Sequence, residues 1–329
     1  MFKSVLSASA FAILAGQVAA APLTVEEIFG SFGAVTQDFS GNSESEGRVI
    51  IAGDATGNII INDRNEGTAA DGFDDLIILG DATDANITVG KSGGVTIEGD
   101  LTDSNLQLNG GVQTVTLGGL RTGGNFNQNE DILIENAPTP NVPEIDFAVF
   151  EAESKRLSQL PGPNTVTTNG SGQRVFGGAP VLNIDFSFLA AGTGVFDLTG
   201  LDTLLINVAG DFGDVSLNFV DHLGIAPIDA ATGVIWNFFE ATGVINFNST
   251  VFGHVLAPGA TIELGASNEG SVIAQSILSD NGELHPLEFT GNIPPSDDPA
   301  PVPLPAGGLL LLSGVAAMIV ARRQRKAAA

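Results

Sequence analysis

Short aliphatic runs recur along the chain, and a polar corner led by glycine closes each of them. Val49-Ile-Ile-Ala, Leu76-Ile-Ile-Leu, Val95-Thr-Ile-Glu and Val115-Thr-Leu precede Gly53-Asp-Ala-Thr-Gly-Asn58, Gly80-Asp-Ala-Thr-Asp-Ala-Asn86, Gly99-Asp-Leu-Thr-Asp-Ser-Asn105 and a degenerate fourth copy, Gly118-Gly-Leu-Arg-Thr-Gly-Gly-Asn125. The lead glycines Gly53, Gly80, Gly99 and Gly118 are evenly spaced after the first step. After most of the asparagines a second run follows: Ile59-Ile-Ile, Ile87-Thr-Val, Leu106-Gln-Leu. Short β-branched strands separated by Gly/Asp/Asn corners near a fixed period predict a β-helix, or solenoid, with one coil per repeat. Glycine supplies the positive φ of a corner, and Asp, Thr and Asn side chains can hydrogen-bond its backbone.

A second zone carries the same rhythm less regularly. Phe252-Gly-His-Val-Leu-Ala-Pro258 is echoed further on by Glu269-Gly-Ser-Val-Ile-Ala-Gln275, with Thr261-Ile-Glu-Leu264 between them. Upstream lie Val195-Phe-Asp-Leu, Leu204-Leu-Ile-Asn-Val, Val215-Ser-Leu-Asn-Phe and Val234-Ile-Trp-Asn-Phe. A β-sandwich is the alternative for this zone. Between the zones the period changes to that of a helix. Phe147, Phe150, Leu157 and Leu160 form one apolar stripe, Glu151, Glu153, Lys155 and Arg156 lie off it, and Pro143 and Pro161 bracket it. This long helix is expected alongside the solenoid, stripe inward. Thr24-Val-Glu-Glu27 has capping-box spacing and predicts a short helix. The fold class is therefore mainly β, a β-helix with one long α-helix packed alongside.

The two ends read as addresses. Residues 1–20 have one positive charge, Lys3, an apolar stretch and the small-residue finish Val18-Ala19-Ala20, which predicts a signal peptide. The domain then runs over 21–291 and a Pro-rich linker over 292–301. At 302–329 come Val302-Pro303-Leu304-Pro305-Ala306, an apolar run and the basic cluster Arg322-Arg323-Gln324-Arg325-Lys326. Leu304–Ala321 carries no charge, and its length falls at the short end of the roughly 17–25 residues needed to span a bilayer. The basic end predicts a cytoplasmic side, with the body outside. This tripartite tail resembles the VPLPA-type sorting signals, relatives of the PEP-CTERM signals of Gram-negative bacteria. The resemblance implies an exosortase-like protease as partner and a transient membrane anchor cut near residues 302–306. A permanent single-span anchor is the alternative, and both place the body at the cell surface or beyond.

Charge narrows the partners. The chain has 38 acidic residues against 12 Lys and Arg, a net −26; setting aside the five bases at the termini leaves the body near −31. Such a body excludes nucleic acid and anionic membrane surfaces as electrostatic partners. With 43% apolar residues it still supports a buried core, and with no cysteine it offers no disulfide or thiolate.

The candidate chemistry is sparse. His222, His254 and His285 show no zinc-ligand spacing, and His254 reads as a solvent-facing strand position. No nucleophile elbow or phosphate loop is present, and the scarcity of bases counts against a polyanion-cleaving enzyme. Asp54, Asp81 and Asp100 are expected to stack about 4.8 Å apart at one corner. They read either as solvated corner caps or as a Ca²⁺ ladder with Asp84 and Asp103 as further ligands.

Glu46-Gly-Arg-Val-Ile-Ile-Ala-Gly-Asp-Ala55, the Gly-Asp repeats, the mid-chain helix and Val234-Ile-Trp-Asn-Phe-Phe-Glu-Ala through Gly270-Ser-Val-Ile-Ala274 together resemble the choice-of-anchor A domain over roughly residues 30–291. The resemblance implies a secreted, adhesive β-helix module without an assigned catalytic residue. The expected function is non-enzymatic adhesion or biofilm matrix assembly, with extracellular polysaccharide or a neighbouring cell surface as partner. Ice binding, through Thr56, Thr83, Thr102 and Thr122, is the first rival, and a polysaccharide-active enzyme the second.

Overall fold

The computed structural model describes residues 21–295, apart from 43, 63–71, 91–92, 111–113, 128–131 and 140–141. The chain divides at Ile293 into two units, and nearly all of the second, Pro294–Ala329, lies outside the described residues. The signal peptide at 1–20 and the tail at 302–329 lie outside them as well. Among the described residues no helix is long and apolar enough to cross a membrane.

The first unit is a solenoid whose order in space differs from its order in sequence. One continuous face is built from parallel strands in the spatial order Val181–Asp185, Leu204–Ala209, Val234–Asn237, the start of His254–Leu264, Val272–Ser279, Ala34–Gly41, Val49–Ile51, Leu76–Ile78, Val95–Ile97, Val115–Leu117 and Leu133–Ile134. The chain thus enters in the middle, winds to one pole, and re-enters at the other pole to wind back to its own first strand. The seam is in register from Ala34↔Val272 to Gly41↔Ser279, and Ser45 pairs with Leu284 beyond it. This continuity of parallel strands replaces the sandwich alternative for the second zone. The predicted echo holds, with Phe252↔Glu269 and Val255↔Val272 as neighbours.

Apolar triplets form these strands because both sides are covered. Val49, Ile51, Leu76, Ile78, Val95 and Ile97 point into the solenoid. Ile50, Ile77, Val35, Leu205, Ile235, Leu256 and Ile273 point outward against two helices and Phe289. Helix α1 (Val25–Ser31) starts at the predicted capping box: Glu27 N–H donates to Thr24 Oγ1 at 3.3 Å, and Thr24 N–H donates to Glu27 Oε2 at 2.8 Å. Helix α2 (Phe147–Ser158) is the expected long helix, capped by Asp146 and packed against the strands Val234–Asn237 and His254–Leu264. Phe150 and Leu157 of its stripe are buried, while Phe147 and Leu160 are half-buried. A third, single-turn helix spans Pro227–Ala231.

The repeat register differs from the sequence alignment at one place. Arg121 pairs with Leu101, and Gly119 N–H donates to the Gly99 carbonyl at 3.0 Å, so Gly119 is the fourth lead glycine. Leu120, 55% exposed, then occupies the aspartate position that the sequence comparison assigned to Gly119. The reason is steric. A Cβ at Gly80, Gly99 or Gly119 would lie 2.3, 2.0 or 2.0 Å from the Oδ1 of Asp54, Asp81 or Asp100 on the preceding coil. Glycine is demanded where the previous carboxylate seats itself.

Candidate functional site

The corner aspartates are structural caps between coils. Asp81 N–H donates to Asp54 Oδ1 at 2.9 Å, Asp100 N–H to Asp81 Oδ1 at 2.8 Å, and Leu120 N–H to Asp100 Oδ1 at 2.8 Å. Each carboxylate therefore neutralises part of its charge on the next corner's backbone donor, a charge-assisted bond stronger than a neutral one. Asp84 and Asp103 sit at the following corner with φ of 52° and 48°, a left-handed conformation that aspartate tolerates and that Gly123 adopts in the next coil. The structure places these two aspartates on a different turn from Asp54, Asp81 and Asp100. Among the described residues no group of three or more histidine and carboxylate side chains is arranged to hold a metal ion.

Past that corner an exposed asparagine column runs along the third face. Asn58 Nδ2 donates to Asn42 Oδ1 at 2.7 Å, Asn105 to Asn86 at 2.6 Å and Asn125 to Asn105 at 3.0 Å. On the second face Thr83, Thr102 and Thr122 are in register, and exposed Thr56 follows Ala55, the partner of Ala82, on the next coil. Toward the other pole the outward positions of this face become Ser40, Leu278, Glu263, Asn246 and Asp214, again paired in register. Neither α1 nor α2 packs on this face; their apolar sides lie over the first. The result is a long, parallel array of mostly polar side chains that crosses the seam at the exposed Leu278, open to a large partner.

Two internal features escaped the sequence reading. Asn183, Asn207 and Asn237 occupy matching positions in three neighbouring strands, and their amides form a chain, Asn237 Nδ2 to Asn207 Oδ1 and Asn207 Nδ2 to Asn183 Oδ1, each 2.8 Å. The same amides hold α2 and the residues after it: Asn207 Nδ2 donates to the Leu157 carbonyl, Asn237 Nδ2 to the Ser154 carbonyl, and Asn183 Nδ2 to the Leu160 carbonyl. The available signal was an asparagine set inside otherwise apolar strands, Leu-Asn-Ile, Ile-Asn-Val and Trp-Asn-Phe.

The second feature is a correction. His254 is fully buried, not solvent-facing. Its ring lies 4.9 Å from Phe29 and 5.2 Å from Phe289, and Nδ1 accepts the Ser271 N–H at 3.2 Å. Strand alternation is overridden because α1 and the segment carrying Phe289 cover the outer side. Burial disfavours the charged ring and pushes its pKa down to about 3. Asp185, Asp197 and Asp211 lie below the usual carboxylate range. Hydrogen bonds from the Ser187 backbone, the Thr199 side chain and the Thr242 side chain respectively are the main causes. Asp74 moves the other way because burial outweighs its bond from Thr96.

A groove of about 530 Å³ lies between α2 and the solenoid, lined by Glu151, Lys155, Gln159, Phe239, Glu240 and Thr242 among others. Its polar groups do not pair into a nucleophile and base.

Comparison with known families gives one match. A family described as "Putative Ice-binding-like adhesive domain" matches residues 26–286. No curated protein and no solved structure matches the chain.

Proposed function

From a chain that belongs to the ice-binding-like adhesive domain family, we infer a non-enzymatic adhesin that works at the cell surface or outside the cell, its solenoid faces held against extracellular polysaccharide or a neighbouring cell. The observation that supports this reading best is the uncovered second face, whose outward side chains stay in register across the seam from Asp214 through Ser40, with the threonine row on the coils beyond. Regular spacing lets many weak contacts add, so that avidity replaces a single deep pocket. A net charge of −26 repels acidic polymers at low ionic strength, so neutral hydrogen-bonding polymers or cation-bridged ones are the favoured targets.

The threonine row Thr56, Thr83, Thr102 and Thr122 favours ice as the second reading. It covers four coils and then gives way to Ser40, Leu278, Glu263 and Asp214. An uninterrupted lattice match is therefore missing from this face, and adhesion stands first. The choice-of-anchor A resemblance, the signal peptide at 1–20 and removal of the tail near Val302–Ala306 by an exosortase-like protease complete the proposal. Leu304–Ala321 and Arg322, Arg323, Arg325 and Lys326 serve in it as the transient anchor.

Three measurements test it. Deletion of the gene is expected to reduce retention of cells in a biofilm, and purified protein is expected to bind cells or matrix polymer. Unchanged retention together with no binding defeats adhesion, and thermal hysteresis in its place establishes ice binding. Intact mass of the surface protein is expected to lack residues 309–326; their presence replaces transient with permanent anchoring.

A further inference from the structure

We propose that the seam joining the two halves of the solenoid carries a pH-sensitive latch centred on His285. The strand Leu284–His285 lies between Glu44–Ser45 of the first half and Asn268–Glu269 of the second, with Ser45↔Leu284 and Glu269↔His285 as partners. Three glutamates surround the imidazole. Nδ1 is 2.8 Å from Glu269 Oε1, Nε2 is 2.9 Å from Glu283 Oε2, and Nε2 is 3.7 Å from Glu46 Oε2. The side chains of His285, Glu269 and Glu46 are only 17–18% exposed, and Glu283 is 43% exposed.

A neutral imidazole has one N–H and one lone pair. Against two ionised carboxylates it can donate to one and must point its lone pair at the other. Only the imidazolium donates to both, so short contacts at both ring nitrogens suit a protonated ring. Two of the glutamates come from the second half, whereas Glu46 comes from the first, and its own N–H donates to the Leu284 carbonyl at 2.8 Å. Protonated His285 therefore holds Glu46 beside Glu269 and Glu283 across the seam. Its deprotonation removes the positive charge that Glu46, Glu269 and Glu283 share.

The charged groups near these segments are Glu44, Arg48 and Glu288. Glu44 Oε2 accepts from Asn62 Nδ2 at 3.5 Å, and Arg48 donates to the Ser31 carbonyl and lies 4.3 Å over the Phe32 ring. Glu288 lies a few positions past His285, along a pocket it shares with Arg48. The sign follows. Stabilisation of the seam is present while the ring carries two protons and is lost as pH rises and the ring gives one up. It also falls in strong acid, when the glutamates are neutralised. The latch thus closes in mildly acidic surroundings and slackens in alkaline ones.

The test uses the full chain, which has no native cysteine. Urea unfolding at pH 6 and pH 9 is compared for the native chain, His285→Gln and Glu46→Gln. The native folding constant is expected to fall about tenfold more over this interval than that of His285→Gln. Glu46→Gln is expected to lose less than the native chain, because it removes one of the repelling charges. Ser40 and Leu278 are neighbours across the seam, so a Ser40→Cys/Leu278→Cys disulfide ties it shut. In this form global unfolding keeps its pH dependence, while hydrogen exchange in the seam strands is expected to become severalfold less sensitive to pH. Equal pH slopes in the native chain, His285→Gln and Glu46→Gln overturn the proposal. Seam exchange as pH-sensitive in the cross-linked chain as in the native one overturns its placement at the seam.

Discussion

The half of the solenoid wound from Ala34 to Ile134 and the half wound from Val181 to His285 share one strand direction but fill and cap their coils differently. Apart from Phe39 and the half-buried Phe126, the first half packs its interior with Val, Ile, Leu and Ala. The second is built around rings: Phe196 and Phe219 stack at 4.3 Å, and Trp236 sits edge-on to Phe176, Phe196 and Phe219 at 5.8–6.3 Å. In the first half Asp54, Asp81 and Asp100 cap the next coil, whereas in the second Asp185 and Asp197 cap their own turns two positions on and Asp211 reaches the next coil at Thr242. Coil lengths follow these choices. Leu76, Val95, Val115 and Leu133 hold equivalent places on successive coils of the first half, at nearly even steps along the chain. Val181, Leu205, Ile235 and His254 hold equivalent places in the second, at steps that are plainly uneven. Corner bonds to the next coil accompany the even steps after Leu76, although the Asp54–Asp81 bond closes a longer coil, and rings with locally closed turns accompany the uneven ones.

The largest test of this contrast is Trp236→Ala. Its Nε1 donates to the Phe252 carbonyl at 2.8 Å within the ring cluster, and truncation is expected to cost about 3–5 kcal/mol in urea unfolding. Ile78→Val in the aliphatic half is expected to cost about 1 kcal/mol. Trp236 is the one tryptophan of the chain, so native fluorescence reports the second half while far-UV circular dichroism reports both. The two transitions are expected to coincide, and separate midpoints break the single solenoid into independently folding halves.

Next comes Asn207→Ala. It strips partners from Asn183, Asn237 and the Leu157 carbonyl, and is expected to cost about 3 kcal/mol, since unsatisfied buried polar groups cost about 1–3 kcal/mol each. Hydrogen exchange is expected to accelerate in α2 and to stay unchanged in the first-half coils.

His254 sharpens the comparison by pH. Its pKa is depressed to about 3, so the unfolded chain binds the proton first. The stabilisation is complete above the ordinary value of 6.5 and is lost as pH falls toward 3. The loss is about 1.4 kcal/mol per pH unit, roughly 2 kcal/mol by pH 5. His254→Gln is expected to remove that part of the acid slope, opposite in sign to the effect assigned to His285.

The smallest effect is at the corners. Asp81→Ala is expected to cost about 1 kcal/mol, the worth of one cross-coil bond, and Asp81→Asn less, because an acceptor remains. Oδ1 of Asp54, Asp81 and Asp100 is already committed to backbone N–H groups. Millimolar Ca²⁺ against EDTA is therefore expected to move the melting temperature by less than Trp236→Ala or Asn207→Ala does. A large Ca²⁺ shift that disappears in Asp54→Asn/Asp81→Asn/Asp100→Asn restores the cation ladder.

Much of this was written in local pattern. The Gly-Asp corners, the aliphatic triplets, the capping box at Thr24 and the stripe Phe147–Leu160 each depend on near neighbours in the chain or on a copy one period on. One-dimensional reading reaches such signals. The fourth repeat slipped by one because Gly118 and Gly119 are adjacent, and only the seat of the Asp100 carboxylate decides between them. His254 was misplaced because alternation along a strand cannot know that Phe29, from the opposite end of the domain's sequence, closes over it.

What the sequence by itself determined is the unit: a strand, a glycine-led corner, an aspartate or asparagine to close it, and a helix with one greasy side. Tertiary structure alone decided the order of the units. No local preference says that Ala34–Gly41 lies beside Val272–Ser279, that Asn183, Asn207 and Asn237 on separate coils become one ladder under a helix, or that Glu46 meets His285. The reason is physical. A parallel strand edge offers the same donors and acceptors to any matching strand, so the winning partner is set by how the whole chain buries its apolar faces.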